Sequence, residues 1–62
     1  MALSRTQKKI SGLRDTVLER YERAGKTISP DLANAIYYDL FGVYDRHGWD
    51  EAVKRAETAE LL

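Results

Sequence analysis

Ser29-Pro30-Asp31-Leu32-Ala33-Asn34-Ala35-Ile36-Tyr37-Tyr38-Asp39-Leu40-Phe41-Gly42-Val43-Tyr44-Asp45-Arg46-His47-Gly48 is the stretch on which the fold turns. Ser29 is a good helix N-cap, Pro30 suits the first helical position, and Asp31 puts a negative charge at the positive end of the helix dipole. Gly48 supplies a stop. The spacing predicts a helix over 30–47. At 100° per residue, Leu32, Val43, Ile36, His47, Leu40, Ala33, Tyr44, Tyr37 and Phe41 fill an arc of about 180°. One neighbouring helix cannot cover half a cylinder, so this helix is expected at the centre with a partner on either side.

The flanking segments supply those partners. Over 4–24, Ser4 and Gln7 have capping-box spacing and Gly25 sits where a C-terminal glycine belongs. Ile10, Leu13, Val17, Leu18 and Tyr21 share an arc of about 140°. Gly12, on the opposite side, weakens the first turns, and a start at Ser11 is the alternative. Over 50–62 the apolar strip is narrow: Trp49, Ala52, Val53, Ala56 and Ala59. Its alanines favour a close helix approach, with Trp49 as an anchor at the turn. Glu19 and Arg23, Glu22 and Lys26, Asp50 and Lys54, and Glu51 and Arg55 are spaced for i,i+4 ion pairs. Nothing alternates as a strand does. The reading is an all-α single domain over 1–62, a three-helix antiparallel bundle with the middle helix central.

Composition narrows the function. The chain has 62 residues and no cysteine, which excludes disulfides, thiolate metal sites and thiol catalysis. No apolar run reaches the roughly 18 residues of a membrane span. The first residues show no apolar core of a secretory signal, so a cytoplasmic protein is expected. His47 is the only histidine; at a helix end it suits a carbonyl partner better than metal or proton chemistry. Ser4, Ser11 and Ser29 read as capping serines, and phosphate-binding or nucleophile motifs are missing. No enzyme activity, cofactor or metal is expected.

Two surfaces remain. Tyr37, Tyr38, Phe41, Tyr44 and Trp49 fall within thirteen residues. Tyr38 lies on the polar arc, and Tyr37 and Phe41 lie at an edge of the apolar one. Tyrosine and tryptophan favour interface hot spots. Tyr37, Tyr38 and Phe41 are therefore the expected anchors for another protein or a second copy, with Asp39 and Asp45 as rim charges. A regulator or inhibitor that occludes a larger protein fits this size. The alternative is nucleic-acid binding through a basic stripe of Arg5, Lys9, Arg20 and Arg23, flanked by Lys8. The formal net charge is +0, yet residues 1–26 hold seven basic and three acidic side chains, and residues 27–62 the reverse. Attraction between the two halves explains this asymmetry more readily than a phosphate-binding surface does, since the domain as a whole is not basic. A helix-turn-helix reader is disfavoured, because a recognition helix beginning Trp49-Asp50-Glu51 would present acid to phosphate.

Overall fold

The first two helices begin at serines whose side chains satisfy free backbone N–H groups, and the third begins without a side-chain cap. The computed structural model describes residues 4–62. Helix α1 spans Arg5–Arg23. The Gln7 N–H donates to Ser4 Oγ at 3.1 Å, and the Ser4 N–H donates to Gln7 Oε1 at 3.0 Å. These reciprocal bonds satisfy two donors that a helix start leaves bare. The helix therefore runs unbroken through Gly12 rather than starting at Ser11. At its other end the Gly25 N–H donates to the Glu22 carbonyl and the Lys26 N–H to that of Tyr21, with Gly25 at φ +70°. This is a Schellman closure, and its left-handed residue favours glycine.

Helix α2 spans Pro30–His47, and Ser29 Oγ accepts from the Leu32 N–H at 3.1 Å. Ser29→Ala is expected to lower stability by about 1 kcal/mol. A urea midpoint equal to that of the parent chain would contradict this. Gly48 then serves two helices. Its N–H donates to the Tyr44 carbonyl at 2.9 Å, closing α2, and its carbonyl accepts from Ala52 at 3.2 Å, opening α3.

Helix α3 spans Trp49–Thr58 and ends four residues short of the expected 62. The reason lies in what the last residues reach. Ala59 turns to an extended conformation, φ −57° and ψ 137°. Leu61 then packs on the core, and the Leu62 N–H donates to Tyr21 Oη at 3.0 Å. Arg20 Nη1 donates to the Ala56 carbonyl at 3.0 Å, filling one of the acceptors the helix end exposes.

All three helices touch one another, and every described element is helical. The body measures 31 × 27 × 15 Å with a radius of gyration of 11.3 Å. Two packed helices, roughly 8–10 Å between axes, fill the thin dimension. The core is consequently one layer deep. Ile10, Val17, Tyr21, Leu40, Ala52 and Ala56 are buried, with Ile10 and Leu40 the large side chains fully enclosed. Of the apolar half of α2, Leu40 alone is buried; Leu32, Ile36, Tyr37 and Tyr44 pack on the core but keep part of their surface in water.

The i,i+4 ion pairs do not form. Among the described residues the ion pairs are Arg14–Asp15 at 3.2 Å and Arg55–Asp39 at 2.9 Å. A surface pair is worth at most about 1 kcal/mol against the entropy of holding two long side chains. Local spacing therefore loses readily to tertiary position, and Arg55 leaves Glu51 for Asp39 on α2.

Candidate protein-docking surface

The aromatic residues of α2 form a ladder that runs from the edge of the core outward. Tyr38 meets Tyr37 edge-on, with ring centroids 5.5 Å apart. Tyr37 lies 6.1 Å from Phe41, and Phe41 lies 6.5 Å from Tyr44. Tyr44 meets Trp49 edge-on at 6.4 Å, across the Gly48 turn. Lys9 of α1 finishes the row, with its ammonium 4.8 Å from the Trp49 ring centroid. Aromatic pairs in this distance range favour edge-on and tilted contacts, because the positive ring edge meets the negative face. The cation over Trp49 uses the same ring polarity.

The ladder passes from half-buried to exposed. Tyr44, Trp49 and Tyr37 pack against the core. Phe41 keeps 37% of its surface accessible and Tyr38 71%. Tyr38 therefore leans on Tyr37 rather than entering the core, and its outer ring face is open. Asp45 is exposed and lies on the same side of α2, seven residues and nearly two turns beyond Tyr38. Asp39 is elsewhere. It points to the α3 side, where Arg55 Nε donates to its Oδ2 at 2.9 Å. The structure thus groups Tyr37, Tyr38, Phe41 and Asp45, and draws Asp39 into a helix–helix seam. Asn34, one turn before Tyr38 and also exposed, joins the group. Its four-residue spacing from Tyr38 was the available signal.

The basic stripe is divided. Arg20 is bonded to the Ala56 carbonyl and Lys9 to the Trp49 ring. Arg5, Lys8 and Arg23 are exposed, and no ion pair holds them among the described residues. Part of the charge asymmetry therefore acts inside the fold, where α1 cations meet the start and the last turn of α3.

A shallow cleft of about 190 Å³ opens beside Tyr21, Ile36, Asp39 and Arg55. Its wall holds one ion pair already satisfied and no histidine or serine. His47 is exposed in the last turn of α2. Among the described residues no three His, Asp or Glu side chains converge as a metal site would need, and no buried side-chain polar atom lacks a partner. No helix is long and apolar enough to cross a membrane. The chain matches no family model, no curated protein and no solved structure.

Proposed function

We propose that this protein is a small cytoplasmic, non-enzymatic interaction module that docks onto another protein, or onto itself, through the outer face of α2. Tyr38 carries this reading: a large aromatic side chain is 71% exposed on a helix, held edge-on by a neighbour that is itself anchored in the core. Tyr37 and Phe41 widen the apolar contact, and Asp45 and Asn34 rim it. The action is occlusion, in which a rigid helical face covers apolar surface on its target, and it suits a regulator or inhibitor.

The finer architecture in this reading is an antiparallel bundle with α2 against both neighbours. Supporting it, the α2–α3 contacts run in opposite order, Tyr44 to Trp49 and Asp39 to Arg55. The α1–α3 contacts run in the same order, Lys9 to Trp49 and Arg20 to Ala56.

The test replaces Tyr38 and Phe41 together by Ser. Helicity is expected to persist, while every complex the parent chain forms weakens at least tenfold, since each buried anchor is worth upwards of about 1 kcal/mol. Unchanged complexes would overturn the proposal. A mobility shift that is steep in salt and is lost with Arg5, Lys8 and Arg23 would instead favour nucleic acid as the partner.

A further inference from the structure

We propose that the partner of this face is a second copy of the chain, with the two α2 helices packed antiparallel and Tyr38 of each copy seated against Phe41 of the other. The inference rests on the docking surface above and names its occupant.

The outward residues of α2 are Asn34, Tyr38, Phe41 and Asp45, at spacings of four, three and four. That is the spacing of a helix–helix seam. The order is polar, aromatic, aromatic, polar, so it reads the same in either direction. A two-fold contact demands this self-complementarity, because one patch must fit its own rotated copy. Antiparallel pairing brings Asn34 opposite Asp45, so an amide N–H donates to a carboxylate at both ends. Parallel pairing would instead set Asp45 against Asp45, like charge on like charge.

The flanks agree. On one side of the seam stand Tyr37 and Tyr44, on the other Ala35 and Gly42. A small flank lets two helix backbones approach closely. The single chain does not require glycine at position 42: a Cβ there, as at Gly12, would meet nothing within 4 Å, and its φ is not positive. Yet glycine weakens a helix interior. Close approach of a second helix supplies the missing reason.

Charge points the same way. A net charge of +0 leaves no overall repulsion between copies.

The absence of cysteine makes the register directly testable. Asn34→Cys and Asp45→Cys chains, mixed and mildly oxidised, are expected to cross-link to each other and not to themselves. In the antiparallel register residue 34 opposes residue 45, whereas two copies of residue 34 lie about 16 Å apart along the axis, beyond disulfide reach. Sedimentation of the parent chain is expected to give twice the 7.1 kDa chain mass. Tyr38→Glu is expected to give the single-chain mass with helicity intact, and Gly42→Ala a dimer at least tenfold weaker on a more stable helix. A 34–34 cross-link would overturn the antiparallel register. A single-chain mass up to millimolar concentration would overturn the second copy and leave the docking surface standing. A dimer indifferent to Tyr38→Glu would overturn both.

Discussion

Leu40→Ala is expected to leave most of the population unfolded at 25 °C, seen as loss of helical circular dichroism without denaturant. Leu40 sits mid-way along α2 with 1% of its surface exposed. It joins one cluster with Ile10, Val17 and Tyr21 of α1 and Ala56 of α3. Truncating a buried leucine costs about 2–5 kcal/mol, with the upper end reached where the surroundings cannot close over the gap. Here they cannot, because each neighbour is fixed by a separate anchor: Tyr21 by Leu62, Ala56 by Arg20, and α2 by its caps at both ends. A domain of this length rarely holds more than about 3–5 kcal/mol in all. One side chain therefore spans the whole margin. The nearby Tyr38→Ala removes more atoms but little surface buried within the chain, and at concentrations where the parent chain is a single copy it is expected to move stability by no more than about 0.5 kcal/mol. Equal urea midpoints for the two variants would show that the core is not centred on Leu40.

That contrast marks how far the sequence can be read. Three helices, the Ser4 and Ser29 caps and the Gly25 and Gly48 stops were all legible, because each is decided within a few residues by backbone hydrogen bonding. The core-facing positions Ile10, Val17, Tyr21, Leu40, Ala52 and Ala56 follow from periodicity alone. What periodicity could not give is how completely a face is covered. The apolar half of α2 implies flanking helices on both sides, yet Phe41 keeps 37% of its surface open and Tyr37 is only partly buried. The end of α3 was also hidden, because the bond from Leu62 to Tyr21 joins residues forty-one apart. Charged pairs were the least legible. Arg55 chose Asp39 over Glu51, and Lys9 and Arg20 turned inward from a stripe that looks uniform on a wheel. Long flexible side chains settle by small energy differences that only the three-dimensional neighbourhood decides. The run of Tyr37, Tyr38 and Phe41 along one edge of α2 was thus visible in the periodicity, while the pairing of Asp39 with Arg55 was not.

Gly48→Ala is the second large effect, and it bears on the site as much as on the fold. Gly48 is the whole connection between α2 and α3, and it holds φ +92° and ψ 179°. That region is essentially closed to residues with an L side chain and costs about 1–3 kcal/mol to occupy. Space is not the obstacle, since an added Cβ meets nothing within 4 Å; the cost is purely conformational. With one linking residue there is nowhere else to absorb a change of angle. Relief must come from swinging α3, which draws Trp49 away from Tyr44 and from the Lys9 ammonium. The expected result is a loss of about 1–3 kcal/mol, with the emission of the only tryptophan shifted to the red. Gly25→Ala, at φ +70° beside a longer loop, should cost less and leave Trp49 emission unchanged. A chain of 62 residues is short enough for chemical synthesis, so D-alanine can be placed at position 48. A D residue takes positive φ as an L residue takes negative φ, so it should restore both the urea midpoint and the emission. If D-alanine were as damaging as L-alanine, crowding rather than backbone angle would govern the turn, and the aromatic ladder would have to be held in place by something other than the Gly48 hinge.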